Sequence, residues 1–303
     1  MTKREINKRS FSGSKTGFMR KITSFIEGSK DFWVRFRRNK FALLAIVILC
    51  LLSLLAIVAP IISPYNPEQM IFDRFMSPNP EHPMGTDHMG RDMLSRMIWG
   101  TRISLFVGFV SAGISITIGV LLGSIAGYYG GKIDDLIMRF VDFFLVIPTF
   151  FLILLIIAMF GSSIWNIMFV IGLTAWPSTT RLIRGQFLSL KEQPFVEAER
   201  ALGASDHRMI FRCILPNAIH PVLVNLSFRV GAAIIIEAGL SFLGLGDPRS
   251  ISWGMMLNTA QRFIRTAWWM AVFPGLFISI AVLSFNLVGD GLNDALNPRL
   301  MER

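Results

Sequence analysis

Two ionisable side chains, Arg229 and Glu237, stand within an otherwise apolar stretch of this 303-residue chain. A charge in hydrocarbon is costly. Such residues therefore turn toward a bundle interior or a water-filled path, where they can handle ions, protons or polar cargo. Eight residues apart on a helix, they lie about 12 Å apart along the axis and about 80° around it, so they do not pair with each other. Two roles stay open: lining a polar translocation path, or making salt bridges to another subunit.

Other chemistries fail on spacing. A phosphate-binding loop needs Gly, four residues, then Gly-Lys-Ser/Thr. The nearest run, Gly130-Gly131-Lys132-Ile133, has Ala126 in place of the first glycine and no hydroxyl at the end. His82, His88, His207 and His220 are scattered over loops without metal-ligand spacing. Asp290, Asn293, Asp294 and Asn297 lack the alternating oxygens and closing glutamate of a calcium loop. They read instead as helix capping at the end of the last apolar segment. Cys50 and Cys213 support neither a disulfide framework nor a zinc site. With no nucleophile and base together, the chain is expected to be no enzyme and to bind no metal or cofactor itself.

The composition says where these residues sit. The chain is 52% hydrophobic and only 17% charged, against about 25% charged in a soluble domain. The shortfall lies in long uncharged runs, which makes this an all-α integral membrane protein and excludes disorder, coiled coil and secreted disulfide scaffolds. Six segments can cross a hydrocarbon core: 41–63, 103–127, 143–160, 164 to about 180, about 218–246, and 267–289. The fourth is short and is expected to end at Trp176-Pro177. The third and fourth are joined only by Gly161-Ser162-Ser163, as a helical hairpin. Gly119, Gly123 and Gly127 repeat every four residues and strip side chains from one helical stripe, so another helix should approach there closely. Pro148 and Pro274 each remove a helix hydrogen bond and predict kinks.

Charge sets the orientation. The net charge is +10, and residues 1–40 hold 12 Lys/Arg against Glu5, Glu27 and Asp31. This tail abuts an apolar run, so a cytoplasmic, membrane-flanking role is favoured over nucleic-acid binding. Within it, Phe18, Ile22, Phe25 and Ile26, then Phe32, Trp33 and Phe36, fall at helical spacing and predict an interfacial amphipathic helix over 18–36. With the N-terminus in the cytoplasm, inside segments carry 22 basic residues and outside loops seven, which places both termini inside. The chain then divides into a basic tail (1–40), a first transmembrane helix (41–63), an extracytoplasmic loop (64–102), a five-helix core (103–289) with a cytoplasmic loop over 181–217, and a C-terminal tail (290–303).

That cytoplasmic loop is the largest inside segment. It reads as short helices broken at Pro194, Gly203 and Pro216, a docking surface for a soluble partner. Glu197-Ala198-Glu199, then Gly203, then Ile214-Leu215-Pro216, resembles the Glu-Ala-Ala, three residues, Gly, then Leu-Pro pattern of bacterial ATP-binding-cassette importer permeases. Glu199 departs from the alanine usual at the third position. Asn39-Lys40, Ala59-Pro60, Pro64-Tyr65-Asn66-Pro67, His82-Pro83-Met84-Gly85-Thr86-Asp87 and Gly90-Arg91-Asp92 resemble the oligopeptide/dipeptide C-type permeases. So do residues 237–246 (EAGLSFLGLG), Gly289-Asp290-Gly291-Leu292 and Asp294-Ala295-Leu296, with Asn293 and Asn297 as departures.

The resemblance implies a type I importer permease fold in a bacterial cell membrane. It implies a homologous B-type permease as partner, two ATPase subunits that hold ATP and Mg, and an extracytoplasmic peptide-binding protein. Coupling to the ATPase would fall to Glu197, Ala198, Gly203, Leu215 and Pro216, although Gly203 alone also reads as an ordinary helix end. Thr86, Asp87, Gly90 and Arg91 would either touch the binding protein or partner permease, or simply brace their loop. The cargo would be an oligopeptide, with dipeptides, glutathione or nickel chelates on the same scaffold as alternatives. A proton-coupled carrier using Glu237 and Arg229 is the reading from a different class, though it needs no large docking loop and no inverted repeat is apparent.

Overall fold

The computed structural model describes residues 33–296. Most of the basic tail (residues 1–32), with it most of the amphipathic stretch at 18–36, and Asn297, Arg299 and Arg303 lie outside that range. Among the described residues the chain is helical, with one isolated bridge between Thr86 and Asp92. The first helix, α1 (Lys40–Ile62), is capped by Asn39, whose side chain accepts from the Ala42 amide at 3.1 Å and donates to Asp294 at 3.2 Å. Its exposed Phe41, Leu44, Val47, Leu51, Leu54, Ile57 and Ile61 recur every three or four residues, which is the pattern of a face turned to lipid.

The next helix, α2 (Met93–Tyr129), starts ten residues before the expected Ile103. Its first turns carry Arg96, which is buried and donates to the Pro67 carbonyl at 3.1 Å. Tertiary partners thus extend the helix beyond its apolar run, and the preceding loop ends at Asp92 rather than at 102. The expected third span is two helices, α3 (Gly131–Val146) and α4 (Thr149–Phe160), bent by 84°. Pro148 has no amide hydrogen and pushes Ile147 out of helical backbone, to φ −80°, ψ 122°. The kink expected at Pro148 is therefore a full break.

Helix α5 (Ile164–Leu190) corrects a second expectation. Pro177 lies inside it, and the helix runs ten residues past the expected end. Buried residues occur along its whole length, from Ile167 to Phe187, so neighbours rather than its own apolarity sustain it. The polar segment that follows is correspondingly shorter. It contains α6 (Pro194–Ala201), then Asp206–Arg208, a π-helical stretch Met209–Ile214, and Leu215–Ala218. Two long helices remain, α7 (His220–Phe242) and α9 (Trp269–Leu296), with the short α8 (Trp253–Ala260) between them. Asp290, Asn293 and Asp294 lie within α9 rather than capping it, because the helix continues past Gly289. Four helices (α1, α2, α7 and α9) are long and apolar enough to cross a membrane, or five spans if the bent α3–α4 pair is one.

Among the described residues the core falls into four clusters, the smallest of which joins Phe36 and Ala42 to Ala295; the other three are larger. Met97, Leu105, Ile234, Trp253, Met270 and Phe285 join α2, α7, α8 and α9. Ile153, Ile157, Ile167, Ile171 and Leu240 join α4, α5 and α7. Ile183, Phe187, Val196, Met209 and Ile214 join α5 to the polar segment. The glycine stripe of α2 packs on α5. A Cβ at Gly119 would fall 2.5 Å from Thr179 Cβ, one at Gly123 2.6 Å from the Thr180 carbonyl oxygen, and one at Gly127 2.5 Å from Phe187 Cβ. Close helix approach is what the four-residue spacing predicted.

Gly123→Ala should accordingly force the two backbones apart and cost about 1–3 kcal/mol, read as a lower melting temperature in detergent. Gly113→Ala, with nothing within 4 Å of its new methyl group, should be neutral or slightly stabilising in the same assay.

Candidate functional site

Helix α6 sits on the outer face of the polar segment and is anchored by one side chain. Val196 is fully buried among Ile183, Phe187, Met209 and Ile214. On the opposite side Glu197 and Ala198 are exposed, and beyond them Leu202 is 83% exposed. The Glu197 carboxylate makes no side-chain hydrogen bond or ion pair among the described residues. Glu199 is engaged instead, with its carboxylate 3.3 Å from Arg208. The helix ends in a Schellman motif: Gly203 N–H donates to the Arg200 carbonyl at 3.0 Å and Ala204 N–H to the Glu199 carbonyl at 3.2 Å. Gly203 adopts φ +76° with open space around it. Its glycine requirement is thus conformational, as in an ordinary helix end.

Leu215 and Pro216 open the short Leu215–Ala218 helix, after the π-helical stretch and on the same segment as α6. Between them, burial pushes the Cys213 thiol above its ordinary pKa. Tyr128 at the end of α2 donates to Asp206 at 2.7 Å, which ties this segment to the membrane bundle. Arg184 of α5 forks onto Asp134 of α3 at 2.5 and 2.6 Å, and Arg181 meets Asp142 at 2.5 Å. These ion pairs join residues 39 and 50 positions apart, and no local motif announces them.

Arg229 and Glu237 do not pair, as helix geometry predicted. Glu237 is fully buried, and its Oε1 accepts from Ser241 and Ser252, both at 2.7 Å. Ser252 also caps α8 by accepting from the Met255 amide. The carboxylate thus fastens the end of α7 to the start of α8. Gly246 and Gly254 leave the room, because a Cβ at either would meet Ser241 within 3 Å. Arg229 instead reaches α5, where its Nη2 donates to Ser178 Oγ, and its Nε lies 3.4 Å from Asn225 Oδ1.

The loop residues Thr86, Asp87 and Gly90 are buried. Thr86 Oγ1 donates to the Asp73 carbonyl and accepts from the Met76 amide, while Trp269 Nε1 donates to the Thr86 carbonyl. Asp87 accepts from the Met89 and Arg91 amides and from Arg91 Nε at 2.6 Å. Gly90, at φ +75°, lies so close to Phe72 that a Cβ would be 2.1 Å from its carbonyl oxygen. Of the four, only the Arg91 side chain keeps surface, at 14%. This geometry braces the loop through Thr86, Asp87 and Gly90, while part of the Arg91 side chain stays at the surface. The sequence did not single out the adjoining knot of His82 and Asp92, at 2.8 Å and both buried, which starts α2 through Ser95.

Long apolar helices around buried polar groups, with a solvent-facing helical segment at one end, define a multi-pass membrane protein. The chain belongs to the binding-protein-dependent transport system inner membrane component family, whose family model matches residues 119–302. Residues 29–80 match the N-terminal TM domain of oligopeptide transport permease C. Curated relatives include the dipeptide permease protein DppC of Bacillus subtilis, 38% identical over 90% of this chain and 86% of that protein. The oligopeptide permease protein OppC of the same organism is 39% identical over 89% and 90%. The glutathione permease protein GsiD of Escherichia coli is 42% identical, again over 89% and 90%. Among solved structures, the inward-facing MetNI methionine ABC transporter superposes with a TM-score of 0.55 over 68% of this chain and 98% of that one, at 20% identity, which bears on the fold alone. The chain is therefore a permease component of a binding-protein-dependent ABC importer, resident in the bacterial inner membrane.

Glu237→Ala should leave two buried hydroxyls without an acceptor and cost about 2 kcal/mol, seen as a lower melting temperature. Gly203→Ala should cost about 1–2 kcal/mol through its positive φ, lost from local stability at α6 in hydrogen exchange.

Proposed function

We propose that this chain forms half of the translocation path of an ATP-driven importer of oligopeptides and takes its drive through α6. A homologous second permease completes the path, two ATPase subunits bind and hydrolyse ATP with Mg, and an extracytoplasmic binding protein delivers cargo. Dipeptides and glutathione are the alternative cargoes, as the names of its relatives indicate. The observation that carries the coupling assignment is the exposed face at α6: Val196 anchors the helix, while the side chains of Glu197, Ala198 and Leu202 are exposed, and the Glu197 carboxylate has no partner among the described residues. Leu215 packs on the apolar cluster that holds Val196, and Pro216 is exposed beside it. A carboxylate offered this way can form a charge-assisted hydrogen bond with a basic group in a partner cleft.

The topology that goes with this reading has six spans, α1, α2, the bent α3–α4 pair, α5, α7 and α9, with both termini cytoplasmic. Helix α5 lacks the apolarity of a lipid-facing span because α2 and its other neighbours shield it. The 22 to 7 bias of basic residues then puts α6 on the cytoplasmic side and the 63–92 loop outside.

In four-subunit complexes in proteoliposomes, Glu197→Ala should lower uptake per ATP hydrolysed by about tenfold or more with membrane insertion unchanged. Glu199→Ala removes only a surface ion pair, of about 0–1 kcal/mol, and should transport normally. The reverse result would move the coupling residue from 197 to 199. For the topology, in a background lacking Cys50 and Cys213, a cysteine at exposed Thr266 should react with an impermeant thiol reagent from outside. One at exposed Ser189 should not, and swapped labelling would refute six spans.

A further inference from the structure

Arg229 is the tenth of the 23 residues of α7, in the middle of the helix. Its two side-chain partners, Ser178 and Asn225, are neutral. Among the described residues no carboxylate forms an ion pair with it; the carboxylates of the chain's ion pairs all sit with other cations. Glu237, the one acid of α7, is two turns away and held by Ser241 and Ser252. A guanidinium does not shed its proton under any ordinary condition. A mid-bundle cation with only neutral partners therefore needs a counter-charge that this chain does not supply.

The space for that counter-charge is adjacent. A cavity of about 20 Å³ lies between α2, α5 and α7, lined by Ser111, Ser115, Ala175, Arg229 and Ala232. Ser115 is fully buried, and its hydroxyl has no partner. Ser111 is already committed, donating to the Met168 carbonyl at 3.0 Å. The cavity thus presents one fixed cation and one unused hydroxyl, with alanine over much of the remaining wall. It has room for about one water-sized group, which is the size of a carboxylate oxygen. A phosphate or a hydrated ion is too large.

We infer that Arg229, which keeps part of its surface, and the buried Ser115 form a carboxylate site at the cavity between α2, α5 and α7. The inference rests on the peptide-importer reading above. The carboxylate is either the free C-terminus of a peptide in transit or an acidic side chain of the second permease. Both satisfy the same guanidinium.

The test uses the complete complex in proteoliposomes and one pentapeptide in two forms, with a free C-terminal acid and with a C-terminal amide. Removing an uncompensated charge should not unfold the bundle, so Arg229→Met should assemble and melt at or above the wild-type temperature. If the cargo supplies the carboxylate, Arg229→Met should lose the preference for the free acid by about tenfold. Arg229→Lys should restore part of it, and Ser115→Ala should weaken it severalfold without changing the melting temperature. If the second permease supplies it, Arg229→Met should weaken pairing of the two permeases, and uptake of both peptide forms should fall together. Unchanged uptake, preference and pairing in Arg229→Met would overturn the site. So would a lower melting temperature with the preference intact, which is the signature of a bracing hydrogen bond to Ser178. A wild-type complex that imports neither form would instead refute the peptide reading, and binding of the acid form to the isolated wild-type and Arg229→Met complexes would still decide the site.

Discussion

No side chain of α2 intervenes at Gly119, Gly123 and Gly127, so Thr179, Thr180, Ile183 and Phe187 of α5 pack directly on its backbone. Apolar side chains gain little from leaving lipid for protein, so association in a membrane rests on such close packing. Because α2 grips α5 down to Phe187, the helix persists through Pro177 into the aqueous phase. That extension carries Ile183 and Phe187, on which Val196, Met209 and Ile214 rest. The exposed helix α6 is consequently mounted on a continuous rod that returns into the bundle, where Ser178 meets Arg229. The packing runs from Val196 of α6 along α5 to Ser178 and Arg229 without crossing a loop.

Polar groups away from water are handled in two ways. Asp87 and Asp92 are buried and accept from donors of their own chain, namely amides, a hydroxyl, a histidine or an arginine, and Glu237 accepts from two hydroxyls at one of its two oxygens. Each of these carboxylates organises a local structure: a loop turn, the start of α2, or the α7–α8 junction. The solution is structural, and it uses the acid as a hub for several donors. Arg229 is treated differently, with two neutral acceptors and an adjoining cavity. The contrast separates polar residues that build the fold from one left available.

Much of this was legible in the sequence. Apolar runs gave α1, α7 and the start of α9 within a few residues, because lipid contact demands continuous apolarity, whereas α9 continues seven residues past its expected end at Gly289. The glycine stripe was read from a rule that acts on the backbone alone, and the same kind of rule marked Pro148 as a kink where the structure has a full break. Gly203 was marked as a helix end by its residue type, and the structure supplies its hydrogen bonds. Other features depend on partners distant in sequence. The start of α2 at Met93 rests on Arg96 and Pro67, and the passage of α5 through Pro177 rests on α2. Likewise, the burial of Thr86 depends on Trp269, 183 residues away. The fastening role of Glu237 depends on Ser252, in a loop that no periodicity marks.

The break at Ile147–Pro148 has a mechanical consequence. Of the 16 residues of α3, only Asp134 and Val141 are buried, and Asp134 is held by Arg184. The element is an arm of about 24 Å, at 1.5 Å per residue, pivoting on a joint with no interhelical hydrogen bond across it. A rotation of about 10° at that joint carries the far end through about 4 Å by the same helix geometry. The two arginines of α5 act on this arm from opposite ends, Arg184 near its tip and Arg181 near its pivot. Small displacements of α5 are therefore geared up along α3, and the ratio is set by where along the arm each carboxylate stands.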